Sequence, residues 1–222
     1  MTASPSGSDF DSIIAILGHG EDSQALSHLL QVFGTSTLSE AGLERIQYSD
    51  ILYLNLYKIG ISFQLEADSR FSQVVTAVDI YNHHPKILAD EARATKKPRT
   101  TYKPFPALPL PIVLTPKAGV QTQTTLSLNT ETNGTDFFKA WGEPDRKGGG
   151  TGPIGRGPAA WMEWSLALPP DPSAGRHAPT PVQIMVELGG EGARGPRVWE
   201  SDSAGASPWK VITFSLPPSQ TN

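Results

Sequence analysis

The chain contains no cysteine, which excludes disulfides, thiolate catalysis and cysteine-ligated zinc sites. No apolar run approaches the ~20 residues of a membrane-spanning helix. The first twenty residues have neither a basic start nor a continuous apolar core, so no secretory signal is legible. These absences predict a cytoplasmic protein with no membrane partner. None of the five histidines stands in a His-x-x-x-His spacing, and no three-ligand cluster is legible, so no metal site or cofactor is expected. Ser62, Ser165 and Ser215 lack a Gly-x-Ser-x-Gly context. With no nucleophile–base pair in view, no catalytic residue is assigned, and the reading leans away from an enzyme.

Two residue types are abundant instead. Glycine (21) and proline (20) in 222 residues exceed the usual proportions of roughly 7% and 5%. They gather in the second half, which predicts long turns there rather than more helix. The length suits one large domain or two of about 100 residues each.

The stretch around which the rest is organised is Thr135 to Gly150, TDFFKAWGEPDRKGGG. Phe137, Phe138 and Trp141 share one helical face, with Thr135 or Asp136 as the cap. Gly142 and Pro144 stop the helix, and a mobile Gly-rich loop follows. The same order recurs in the first half. Leu26, Leu29, Leu30 and Phe33 make an apolar face, Gly34 ends it, and Ser23 or Asp22 caps it. Tyr53 to Leu56 then corresponds to Trp161 to Trp164, and Ile59 to Phe63 to Val182 to Leu188. Val74 to Tyr81 corresponds to Trp209 to Leu216. Self-similarity of this kind outranks residue-level reading. The expected fold is α+β, with two related units, each of one or two helices packed on a three- to four-stranded antiparallel sheet. The units span residues 10–82 and 104–216, with a connector at 83–103 and disordered tails at 1–9 and 217–222. Val74 to Tyr81 is expected to be a strand because β-branched residues dominate, although Val74, Thr76, Val78 and Ile80 alternate imperfectly. Ile112–Leu114 is expected to add an edge strand to the second unit, and Leu166–Pro181 to be a Pro-rich insertion.

The net charge of −4 is unevenly spread. Residues 10–82 carry nine acidic and three basic side chains, whereas the connector carries six basic and two acidic. The acidic first unit would repel phosphates, so nucleic acid is not expected as a partner, and a basic protein suits it better.

The doubled pattern resembles the tandem α/β modules of the β-lactamase inhibitor protein and SmpA/OmlA type, and bacterial immunity-like proteins of two-unit build. The residues that carry the resemblance are Leu30, Phe33 and Gly34 with Ile59 to Phe63, then Trp141 to Asp145 with Trp161 to Trp164 and Ile184 to Leu188. Fungal intracellular proteins with a Gly-Glu-Pro-Asp-Arg-Lys-Gly-Gly-Gly stretch, here Gly142 to Gly150, are also similar. The resemblance implies helices packed on an antiparallel sheet in each unit, and a protein-binding role.

Five residues are candidates for binding. Arg146 and Lys147 lie beside the glycine run, where free backbone N–H groups could cradle an anion. Phosphate loops ordinarily precede a helix, whereas this one precedes a strand. Glu163 and Glu187 fall on adjacent predicted strands, on the side away from the helices. Trp161 and Trp164, three positions apart, face opposite sides of one strand, and Trp164 is taken as the exposed anchor. His83 and His84 are expected to face solvent at a strand end. The preferred function is non-enzymatic protein binding, immunity-like or as an inhibitor or scaffold. The alternative is binding of a small molecule or anion, with or without turnover, by the loop 143–157.

Overall fold

The computed structural model describes residues 9–67, 73–94, 100–115, 124–150, 157–172, 176–195, 198–199 and 203–217. The fold is α+β. Among the described residues there are five helices: α1 (Asp9–Ile14), α2 (Gln24–Val32), α3 (Pro85–Ala94), α4 (Gly134–Trp141) and α5 (Ser203–Ala206). Ten strands accompany them: β1 (Leu43–Gln47), β2 (Ile51–Leu56), β3 (Ile61–Ala67), β4 (Gln73–Tyr81), β5 (Leu110–Leu114), β6 (Thr124–Leu128), β7 (Arg146–Gly148), β8 (Trp161–Leu168), β9 (Thr180–Leu188) and β10 (Trp209–Ser215). No helix among the described residues is long and apolar enough to cross a membrane.

The strands do not form one sheet per half. Eight of them make a single antiparallel sheet in the order β1-β2-β3-β4-β10-β9-β8-β7, and β5 and β6 pair separately. Each half supplies a four-stranded meander, and the two meanders meet where β4 pairs with β10. The last strand of a meander has an open hydrogen-bonding edge. Joining the two last strands satisfies both.

Period-two alternation then divides the sheet into two faces. On one, Leu54, Phe63, Val78, Phe214, Ile184 and Trp164 are buried in one continuous core. Helices α1, α2 and α4 and the β5–β6 ribbon cover this face. Phe10 of α1 meets Phe214 edge to face at 5.2 Å, and Phe137 and Trp141 of α4 pack on Trp164 at 6.3 and 5.3 Å. Ser23 caps α2 by accepting from the Leu26 N–H. Helix α4 is capped one turn earlier than expected. Asn133 and Asp136 form a reciprocal capping box, which leaves Thr135 no capping role because Asp136 already occupies the third helical position.

The imperfect alternation along β4 comes from a bulge. Gln64 faces Ala77 and Leu65 faces Val75, so Thr76 is the extra residue and Val75 turns inward in its place. Several other expectations are corrected. Ile112–Leu114 belongs to β5, which pairs with β6 and not with the large sheet. The insertion is shorter than expected because β8 continues to Leu168 and β9 begins at Thr180. Within it Arg176 donates to Asp11 of α1 at 2.8 Å, tying the loop to the N-terminal helix. His84 is buried. Its Nδ1 accepts from the Lys86 N–H at 3.1 Å, and Nε2 lies 3.3 Å from Glu131, because the ring closes the start of α3. Asp9, placed in the expected tail, is the first residue of α1. The basic cluster Lys96, Lys97 and Arg99 and residues 1–8 and 218–222 lie outside the described residues.

The connector crosses from one face of the sheet to the other. Tyr102 lies against Tyr57 and Tyr81 on the face away from the main core. Phe105 lies in the core against Phe33, with ring centroids 4.9 Å apart. The chain passes the β2–β3 turn between them, where the Lys103 N–H donates to the Tyr57 carbonyl at 2.7 Å. Gly60 sits at the crossing with φ +62°, and a Cβ there would strike the Lys103 carbonyl and the Phe105 backbone. Gly60→Ala should therefore lower stability by more than about 1 kcal/mol, since both backbone conformation and space oppose a side chain. Trp141→Ala should cost ~3–5 kcal/mol, the range for a large aromatic removed from a core. Urea denaturation monitored by circular dichroism checks both.

Candidate functional site

The Gly-Glu-Pro-Asp-Arg-Lys segment is not a loose loop but the edge of the sheet. The Asp145 N–H donates to the Glu163 carbonyl at 2.8 Å, and its carboxylate accepts from the Ser165 N–H at 2.7 Å. These bonds hook the chain onto β8, so Arg146, Lys147 and Gly148 pair with Glu163, Met162 and Trp161. The glycines that follow are set by packing. Side chains at Gly149 and Gly150, both with positive φ, would strike the Ala159 carbonyl and Val198. Residues 151–156 of the expected loop lie outside the described residues.

The structure brings three of the five candidate residues together. Arg146, Glu163 and Glu187 all stand on the face of the sheet opposite the main core. Arg146 lies 3.3 Å from Glu163, and its guanidinium sits over the Trp161 ring at 5.8 Å. Glu187 is the cross-strand neighbour of Trp161 and pairs with Lys210 at 3.3 Å. Lys147 points to the other side of β7, with its ammonium 5.5 Å from the Trp199 ring. Both cations therefore already have aromatic or acidic partners.

Trp164 is corrected. It is 1% exposed, at the centre of the aromatic core, and its indole N–H donates to the Gly142 carbonyl at 3.0 Å. The sheet-surface tryptophan is Trp161. Trp164 points toward α4 because Met162, Trp164, Leu166 and Leu168 make up the buried half of β8.

The open face carries a second, central cluster that the sequence reading missed. Tyr102 stacks on Tyr81 with ring centroids 3.6 Å apart and planes 7° from parallel. Its hydroxyl donates to Asn55 at 2.8 Å, while the Tyr57 hydroxyl donates to Glu44 at 2.6 Å. Ser62 is buried beside the pair. Burial pushes the Tyr81 phenol up to about 12 and raises Tyr102 further, so both are neutral donors at ordinary pH. Next to them, Asp79 accepts from the Thr213 hydroxyl at 2.7 Å across the β4–β10 seam. Burial is the main cause that lifts the Asp79 carboxyl from 3.8 to about 6, with Glu187 adding to it and the Thr213 bond opposing. The available sequence signals were Asp79 within the β-branched run of β4 and Asn55 within Ile51–Leu56. Tyr102 gave no signal, because its partners Tyr81, Tyr57 and Asn55 lie 21, 45 and 47 residues away in the chain.

Cover over this face is partial among the described residues. Tyr102 lies over the β2–β4 region. Helix α3 sits at the end of β9 and β10, where Ile87 packs on Gly189 and is buried outside the main core. Ion pairs fix the helix there, from Glu91 to Lys210 at 3.5 Å and from Asp90 to Arg194 at 3.4 Å. Glu44, Glu66, Asp79, Glu163 and Glu187 share the face with Arg146 and Lys210, interleaved with Tyr53, Tyr81, Met185 and Trp161.

The raised Asp79 carboxyl has a consequence for stability. Between about pH 4 and pH 6 the folded protein holds a proton that the unfolded chain has released, so stability falls as pH rises through that window. Asp79→Asn keeps an acceptor for Thr213 and removes the charge from this half-buried position. Its melting temperature should exceed the parent's at pH 7 and converge on it at pH 4. Thermal melts across that range measure the difference, and parallel pH profiles would contradict it. Comparison with protein-family models, curated proteins and solved structures finds no match to this chain.

Proposed function

We propose that the chain is a non-enzymatic protein-binding module, immunity-like or inhibitory, that captures a basic partner on the open face of its large sheet. The observation that carries the reading is that face. It sets five carboxylates against two cations, on flat aromatic and thioether ground. A field of one sign speeds encounter with an oppositely charged partner and makes the association rate fall with salt. Trp161, between Arg146 and Glu187, is the side chain best placed to anchor the contact. Glu163 and Glu187 supply its charge. The same balance speaks against nucleic acid, and the reading takes the protein as cytoplasmic.

The reading includes two related units, 10–82 and 104–216, joined by the connector 83–103. It is supported by the order helix, glycine, four-stranded meander, which occurs as α2, Gly34, β1–β4 and again as α4, Gly142, β7–β10.

The test is affinity capture from a cell lysate at low and high salt, with the parent beside a variant carrying Trp161→Ala, Glu163→Gln and Glu187→Gln. Proteins held by the parent at low salt should be lost both at high salt and on the variant. An identical set of proteins on parent and variant would sink the proposal. A phosphate, nucleotide or sugar that raises the melting temperature, with the effect abolished by Arg146→Ala and Lys147→Ala, would establish ligand binding near the 143–157 segment instead.

A further inference from the structure

The eight-stranded sheet ends in two edges of different character. At one, β7 is only three residues long and carries Arg146 and Lys147, a short charged edge that makes a poor template for another strand. At the other, β1 pairs with β2 over its whole length, and no strand lies on its far side among the described residues. The Tyr48 N–H donates to the Ile51 carbonyl at 2.8 Å, closing the turn through Ser49 and Asp50. Antiparallel bonding alternates from that pair. The backbone N–H and C=O groups of Arg45 and Gln47 therefore point away from β2 into the open edge.

The usual edge protections are missing from β1. It has no proline and no bulge, and its one cation, Arg45, is already held by Glu21, with a bond of 2.8 Å from Nη1. Ile46 and Tyr48 share the open face of the sheet. Tyr48 is 60% exposed, the most exposed large hydrophobic side chain among the described residues, and it stands edge-on to Tyr53 at 5.8 Å. The surroundings are acidic, with Glu40, Glu44 and Asp50 close to the strand in sequence, Asp22 near Arg45 in space, and residues 10–82 nine acidic to three basic.

We infer that β1 is an acceptor edge for strand addition by an extended, basic segment of a partner protein. The inference rests on the protein-binding reading and names the mode of recognition. Main-chain bonds to Arg45 and Gln47 would supply register, a basic side chain on the added strand would meet Glu44, and an apolar one would pack on Ile46 and Tyr48. A second copy of this chain fits less well, because edge-to-edge pairing of β1 with itself would bring two strongly acidic halves together.

The test uses the full chain and a short capped peptide in which lysine and valine take turns at every second residue, with threonine between them. Both kinds then face Glu44, Ile46 and Tyr48 together. Two N-methylated forms of the peptide, isomers of each other, accompany it. One isomer is N-methylated on the lysine and valine amides and the other on the threonine amides. All three carry the same charge, but an added strand presents only one set of alternate amides to β1. One isomer should bind like the parent peptide and the other about tenfold or more weakly, through loss of its main-chain hydrogen bonds. Gln47→Pro should weaken the unmodified peptide by a similar factor. The residue 47 N–H takes no part in the β2 ladder, so proline there leaves the sheet bonds intact, and a melting curve confirms the fold. Equal affinity of the two methylated isomers, or no binding of the unmodified peptide at low salt, overturns strand addition and leaves the open-face proposal to its own capture experiment.

Discussion

Everything in this molecule depends on the pairing of β4 with β10. Ile80 faces Ile212 and Val78 faces Phe214 across that seam, so the apolar residues of both halves enter one core rather than two. The pairing also removes two strand edges that would otherwise stand open beside a hydrophobic face. Its cost appears on the opposite face. Asp79 is drawn into the seam, satisfied by Thr213 and left with a carboxyl that ionises reluctantly. A half-buried carboxyl of this kind is tolerable because its bond is made.

The core-side layers follow from that single sheet. Helix α4 presents Phe137 and Trp141 to Trp164, and Phe10 of α1 meets Phe214 near the seam. The connector has to pass from the open face to the core. It does so beside a residue without a side chain, Gly60, and leaves Tyr102 stacked on one side and Phe105 buried on the other. The segment from Tyr102 to Phe105 is thus a structural strap whose two aromatic rings grip both faces of the first meander.

The open face is where function is proposed because, among the described residues, it combines charge of mainly one sign with aromatic ground. Its basic side chains are already engaged, Arg146 by Glu163 and Trp161 and Lys210 by Glu187 and Glu91. Those pairs also engage Glu163 and Glu187, so what the face offers a partner is its excess of three carboxylates together with the rings. The two edges differ in the same sense, β7 short and cationic, β1 longer and in acidic surroundings.

Local chemistry made much of the fold legible in the sequence. Leu26, Leu29 and Leu30 declared α2, Phe137 and Trp141 declared α4, and the alternation of Ile61, Phe63 and Leu65 declared β3, because each pattern matches the period of its element. The side of the sheet on which Glu163 and Glu187 stand was legible for the same reason. The same period places Trp164 inside, since Met162, Leu166 and Leu168 share its parity while Trp161 shares that of Glu163 and Ser165. The expectation of an exposed Trp164 overlooked this, and the helix lying over Trp164 agrees with the pattern. Period could not show that the glycines after Lys147 mark close packing on Ala159 and Val198 rather than a free loop. Pairings between distant segments, β4 with β10, Tyr102 with Tyr81 and Arg176 with Asp11, leave no periodic trace, because each partner's own surroundings in sequence are ordinary. The sequence determined the elements and the faces they bury. The tertiary structure decided that two meanders become one sheet, because only in space do two unsatisfied strand edges find each other.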